Sequence, residues 1–127
     1  MMSGRILVVE DNDRNRKLIR IILEANNYEV IEATTGEEAL RYLQNTKPDL
    51  ILLDIQLPHM DGLALTREIR NQEENKNIPI IAVTAYAMKG DKERIIKAGC
   101  DAYISKPIDT RQLPAIVADM INKSMVD

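Results

Sequence analysis

Glu10, Asp11, Asp54, Thr84 and Lys106 all stand at the ends of short apolar runs: Ile6-Leu7-Val8-Val9, Leu50-Ile51-Leu52-Leu53, Ile80-Ile81-Ala82-Val83 and Ala102-Tyr103-Ile104. Three carboxylates, a hydroxyl and an ammonium form a coherent chemical set if folding gathers them. Crowded carboxylates repel: a pair ~4 Å apart costs about 4 kcal/mol at an effective dielectric of about 20. Lys106 supplies one offsetting charge, and a hard divalent cation suits an all-oxygen ligand set, as Mg²⁺ prefers. That combination points to phosphoryl transfer. Asp54 is the candidate nucleophile, forming an acyl phosphate, while the cation, Thr84 and Lys106 hold the equatorial oxygens of the transferred group. Singly, each residue has a plainer reading: Asp54 as a strand stop, Thr84 as a turn residue, Lys106 as a solvated tip, Glu10-Asp11 as a helix N-terminus. Their common placement at strand ends favours the joint reading.

The elements that must position them follow from periodicity. Leu50-Ile51-Leu52-Leu53 is continuously apolar, which is how a strand covered on both faces reads, and such strands belong mostly to parallel sheets. Apolar strand and amphipathic helix alternate five times along the chain. This implies an α/β fold of the flavodoxin-like, doubly wound kind, with a five-stranded parallel sheet in the order 2-1-3-4-5 and five helices. The expected strands are Arg5 to Val9, Glu29 to Ala33, Leu50 to Asp54, Pro79 to Val83 ending at Thr84, and Ala102 to Ile104. The second, with Glu29 and Glu32, has the charge of an edge strand. In a parallel sheet all carboxyl ends share one rim, and strands one and three meet at the switch point, bringing Glu10, Asp11 and Asp54 together.

The first helix starts near Asp13, with Leu18, Ile22 and Ala25 inward, Arg14, Arg16, Lys17 and Arg20 outward, and Asn26-Asn27 closing it. Thr35-Gly36-Glu37-Glu38 is a capping box for the second, which runs to about Asn45 with Leu40 and Leu43 inward. Asp61 caps the third, where Leu65 and Ile69 lie one turn apart, and a polar loop from Gln72 to Asn77 follows. The fourth, Lys89 to Ala98, has a thin apolar face available to partners and stops at Gly99, a left-handed cap. Asp109 to Gln112 opens the fifth as a capping box with an Ile108–Leu113 staple, and Pro114 should make its first turn irregular. Its stripe is Leu113, Ile116 or Val117, then Met120 or Ile121.

At 127 residues the chain is one domain, 1–127. Lys plus Arg number 17 against 20 Asp plus Glu, so no basic excess supports nucleic-acid binding. No apolar run approaches the ~20 residues of a bilayer span, and Met1 to Gly4 lacks a signal-peptide pattern, so a cytoplasmic protein is expected. Cys100 is alone and reads as a buried hydrophobe; His59, a loop residue, leaves zinc or iron without a ligand set.

Val8-Val9-Glu10-Asp11-Asn12, Leu52-Leu53-Asp54-Ile55-Gln56-Leu57-Pro58, Met60-Asp61-Gly62, Val83-Thr84-Ala85 and Ser105-Lys106-Pro107 together resemble the receiver domain of two-component response regulators. The likeness covers essentially the whole chain. Ala85 to Asp91 and Gly99 to Tyr103 look most like stand-alone cell-cycle regulators of the DivK type, although receivers of hybrid histidine kinases share these stretches. The resemblance implies that Asp54 takes phosphoryl from a histidine of a sensor kinase or phosphotransfer protein. It implies that Asp11, Asp54 and the Gln56 carbonyl bind Mg²⁺, with Glu10 joining through water. It assigns Thr84 and Lys106 to the phosphoryl group, Tyr103 to a rotating switch coupled to Thr84, and a cis bond to Pro107. Helix four, strand five and helix five would be the readout surface for a downstream protein, on a monomer with phosphorylation-linked dimerisation left open. Such a protein is a signalling phosphoacceptor rather than an enzyme, catalysing only its own phosphorylation and dephosphorylation.

Glu10 stands where Asp is commoner in that family, and Gln56 is neutral: it can orient a water but cannot act as a general base. Tyr86 is bulky and would shield the phosphoryl group, so slow self-dephosphorylation is expected. An aspartate-nucleophile phosphatase of the haloacid dehalogenase type would need a second carboxylate where Gln56 stands. A degenerate receiver would lack some of the residues present here. A receiver excised from a hybrid kinase is the remaining alternative; the Met1-Met2 start and an end soon after helix five favour a free-standing protein with no effector domain.

Overall fold

β3 (Leu50–Asp54) is buried at every position, which requires neighbours on both edges and helices on both faces. The computed structural model, describing residues 4–58, 60–85 and 89–126, provides both. β3 pairs in parallel with β1 (Arg5–Val9) on one side and β4 (Ile80–Thr84) on the other. β2 (Glu29–Ala33) extends the sheet past β1, and β5 (Ala102–Ser105) past β4, giving the expected order β2-β1-β3-β4-β5. β2 carries Glu29 and Glu32 exposed, as an edge strand should. Strand alternation then divides the core. Leu7, Val9, Ile51, Leu53, Ile80 and Ala82 face one layer; Ile6, Val8, Leu50, Leu52, Ile81 and Val83 face the other.

Two small elements were not foreseen. A two-residue antiparallel ribbon pairs Gln56–Leu57 with Met60–Asp61 just past β3. The loop after Gln72 contains a 3₁₀ turn, Glu73–Asn75, with Asn75 buried.

α1 (Asp13–Ala25) is capped by Asn12, whose Oδ1 accepts from Asn15 N at 2.9 Å. Its inward face differs from the expectation. Ile19, Ile22 and Leu23 are buried, whereas Leu18 and Ala25 are exposed. Arg16, expected outward, is the cause. Its guanidinium donates to the Glu10 carbonyl (3.1 Å), Glu32 Oε1 (2.8 Å) and Asp13 Oδ1 (2.6 Å). Pinning Arg16 over the end of β1 turns the positions three and seven further on, Ile19 and Leu23, toward the sheet.

α2 (Gly36–Asn45) starts at Thr35, whose Oγ1 accepts from Glu38 N at 3.1 Å, and the Glu38 carboxylate reaches back to accept from Thr34 N and Oγ1 (2.6 and 2.7 Å). Leu43 is buried and Leu40 half-buried. α3 (Gly62–Asn71) is capped by Asp61, which accepts from Leu63 N at 2.9 Å, and buries Leu65 and Ile69 completely. A Cβ at Gly62 would collide with the Ile55 backbone, so only glycine lets this helix start beside β3.

α4 (Lys89–Ala98) buries Ile95 and Ala98 and ends at Gly99, with φ +119°. α5 (Gln112–Val126) follows Asp109, whose Oδ1 accepts from Arg111 N (2.8 Å) and Gln112 N (3.1 Å). Thr110 and Arg111 form a turn before regular helix begins, the irregularity expected next to Pro114. Leu113 and Val117 are fully buried, with Ile116, Met120 and Ile121 flanking them. Among the described residues no helix is long and apolar enough to cross a membrane. Cys100 is buried, and burial pushes its thiol above the usual range.

Arg70 closes the amino edge of the sheet. Its Nε donates to the Gly99 carbonyl (2.9 Å). Nη1 donates to the carbonyls of Ile78 (2.6 Å), Asn75 (3.1 Å) and Lys76 (3.1 Å). Nη2 meets Asp101 Oδ2 at 2.8 Å, and the same oxygen accepts from Ile80 N at 2.9 Å. A mostly buried guanidinium thus ties α3, the 3₁₀ turn, β4, the end of α4 and the start of β5. Arg70→Ala should lower unfolding free energy by about 2–4 kcal/mol, because several carbonyls lose a charged donor at once. Arg70→Lys should restore little of it, since an ammonium cannot fork. Urea denaturation measures both; a loss below about 0.5 kcal/mol would show that water replaces Arg70 without cost.

Candidate functional site

The carboxyl ends of β1, β3, β4 and β5 meet on one rim, as the parallel sheet requires. Glu10 continues β1, its N–H donating to the Ala33 carbonyl at 3.0 Å, and is only 1% exposed. Its Oε2 accepts from Asn12 N at 3.1 Å, while Oε1 is buried without a hydrogen-bond partner. Asp54, at the end of β3, is 2% exposed. Asp54 Oδ1 accepts from Gln56 N and Oδ2 from Lys106 Nζ, each at 2.8 Å. Asp11 is exposed, and one oxygen from each of Glu10, Asp11 and Asp54 lies within 4.8 Å of the others.

Thr84 is fully buried at the end of β4, and its carbonyl accepts from Lys106 N at 2.7 Å. The peptide between Lys106 and Pro107 is cis, as expected. Ile55 N donates to the Val83 carbonyl at 3.1 Å, extending the β3–β4 ladder up to the site. Asp54, Thr84, Lys106, Glu10 and Asp11 therefore occupy the rim that the sequence assigns to them.

Gln56 does something sequence reading missed. Its side-chain Oε1 accepts from Ala85 N at 3.1 Å, so the amide is bonded across to the residue after Thr84. Tyr103 is half-buried against the core layer shared with α4, and Lys92 Nζ lies 5.4 Å from its ring centroid. Nothing in the sequence singled out Lys92, since a lysine on a mostly charged helix carries no signal of its own. His59 and Tyr86 lie outside the described residues.

The electrostatics are those of excess negative charge. Burial first, then contact with Asp54, pushes the Glu10 carboxyl up to about 7, with the Asn12 N–H and, less strongly, Lys106 acting the other way. An orphaned buried carboxylate oxygen and two neighbouring carboxylates, with no histidine or cysteine in the group among the described residues, fit a hard divalent cation such as Mg²⁺. Among the described residues the cluster is otherwise countered by the Lys106–Asp54 pair.

Fold and rim together define a receiver. Residues 6–118 match the response regulator receiver domain, and the chain belongs to that family of two-component signalling proteins. It is 53% identical over 107 residues to the polar-differentiation response regulator DivK of Brucella ovis, covering 84% of this chain and 87% of that one. A crystal structure of the receiver domain of a sensor histidine kinase from Pseudomonas aeruginosa, with a magnesium ion coordinated in its active site cleft, matches with a TM-score of 0.87. The two are 39% identical over 95% of this chain and 99% of the other. A chemotaxis response regulator of Vibrio cholerae matches at TM-score 0.89 with 26% identity, over 94% and 99% of the two chains.

A raised Glu10 means that the metal-free folded state holds a proton that the unfolded chain, with Glu near 4.5, has already lost. Stability without metal therefore falls as pH climbs from that value through about 7. Glu10→Gln removes the effect. In chelator at about pH 8 it should be more stable than wild type by about 1–3 kcal/mol, and the gap should close by about pH 5. Equal stabilities at both pH values would mean that Glu10 is not destabilised by its surroundings.

Proposed function

We propose that Asp54 accepts a phosphoryl group from a phosphohistidine on a sensor kinase or histidine phosphotransfer protein. The observation that carries this is the Asp54 carboxylate itself. It is buried, held by Lys106 at 2.8 Å, and grouped with Glu10 and Asp11. An Asp54 oxygen bonds to phosphorus as the P–N bond breaks; the imidazole leaves with that electron pair and takes up a proton from solvent. Lys106 and Gln56 N fix the two carboxylate oxygens, so the nucleophile meets phosphorus in a set orientation. Thr84 donates to the incoming phosphoryl oxygens, and Lys106 shares their charge. Asp11, Asp54 and the Gln56 carbonyl, with Glu10 through water, would hold Mg²⁺, which would supply positive charge toward those same oxygens.

Thr84 drawn to the phosphoryl group leaves room for Tyr103 to turn inward, biasing a two-state surface formed by α4, β5 and α5. Output is a protein–protein contact, and the likeness to DivK supports a free-standing regulator in polar-differentiation signalling. The likeness to a kinase-borne receiver supports a second reading, in which this domain receives phosphoryl within a hybrid kinase. Gln56 cannot serve as a general base, which supports slow self-dephosphorylation.

Acetyl phosphate with Mg²⁺ should add one phosphoryl group to Asp54, read by mass spectrometry, and Asp54→Asn should abolish it. Lys106→Ala should slow loading on the order of a hundredfold. Loading that persists in Asp54→Asn, or that proceeds equally in chelator, would overturn the assignment.

A further inference from the structure

Gln56 reaches two parts of the site at once. Its backbone N–H donates to Asp54 Oδ1 at 2.8 Å, and its side-chain Oε1 accepts from Ala85 N at 3.1 Å. Ala85 is the first residue past β4, so its N–H has left the strand ladder and stands on the rim beside Thr84. A neutral side-chain oxygen occupies it.

Resting on the phosphoacceptor reading above, we infer that Gln56 is a placeholder: its amide oxygen holds the Ala85 N–H in the unloaded protein and yields it to a phosphoryl oxygen on Asp54. The exchange follows from acceptor strength. A charged phosphoryl oxygen takes a backbone donor in preference to a neutral amide, because charge-assisted hydrogen bonds are roughly twice as strong. The displaced amide has somewhere to go. A cavity of about 200 Å³ is lined by Gln56 and Thr84 on one side and by Asp91, Arg94 and Ile95 of α4 on the other. The Arg94 guanidinium on that wall, paired through Nη1 with Asp91 at 3.3 Å, has further N–H groups to offer an amide oxygen. Gln56 is thus a positioning residue, acting through Ala85 and delivering the loaded state to α4.

Gln56→Met and Gln56→Ala keep the backbone groups and remove the amide; methionine also keeps the length. The probe is beryllium fluoride, titrated into Mg²⁺-saturated protein and followed by amide NMR. Removing a competing neutral hydrogen bond should tighten apparent beryllium fluoride binding about 2- to 10-fold in both variants. The Ala85 amide resonance should differ from wild type before loading and coincide with it afterwards. A purely structural role for Gln56 would weaken binding and leave the loaded spectra different, which would overturn the inference, as would an unmoved Ala85 amide in both variants. If wild type itself binds no beryllium fluoride while Gln56→Met still shifts Ala85, the phosphoacceptor reading fails and the placeholder role falls with it.

Discussion

Negative charge held at close quarters, against the Lys106 ammonium, is the constraint on which the rest of this structure depends. Glu10 and Asp54 are almost fully buried, and Asp11 completes a group of oxygens within 4.8 Å of one another. Such a group is unfavourable in isolation. It persists because parallel strands deliver their carboxyl ends to one edge, and because two layers of fully buried aliphatic residues hold those strands in register. Lys106 crosses from β5 to Asp54 over 52 positions of sequence, so the ion pair at the site is also a long-range tie across the sheet. The shortfall in positive charge is what the proposed binding of a cation and, with it, of a phosphoryl group would relieve.

The two ends of the sheet are built differently. At the amino edge Arg70 fastens α3, β4, β5 and the Gly99 carbonyl just past α4 through many bonds of one guanidinium. At the carboxyl edge α4 has Ile95 as its deep apolar contact, with Ala98 near its end. A helix fixed at one end and thinly packed toward the other is suited to small displacements, because few contacts must be broken to move it. Tyr103 lies beside that helix with Lys92 near its ring, so charge on α4 is felt at the aromatic.

Much of this was legible in the amino-acid sequence because it is local or strictly periodic. Strands buried on both faces read as continuous aliphatic runs, and the residues ending them mark the rim. Thr35, Asp61 and Asp109 cap helices through partners two or three positions away. What escaped was non-local. Arg70 finds Gly99 and Asp101 some thirty positions on, and no pattern around it announces those partners. The phase of α1 was misjudged because a charged residue, Arg16, occupies its inner face through bonds to β1 and β2. The Gln56 amide oxygen, 29 positions from Ala85, was invisible for the same reason.

The most direct test of this account is a Mg²⁺ titration followed by backbone amide NMR. The account predicts a saturable millimolar response centred on Asp11, Asp54 and Gln56, lost in Asp11→Asn. Shifts spread over surface carboxylates, unchanged in that variant, would contradict it.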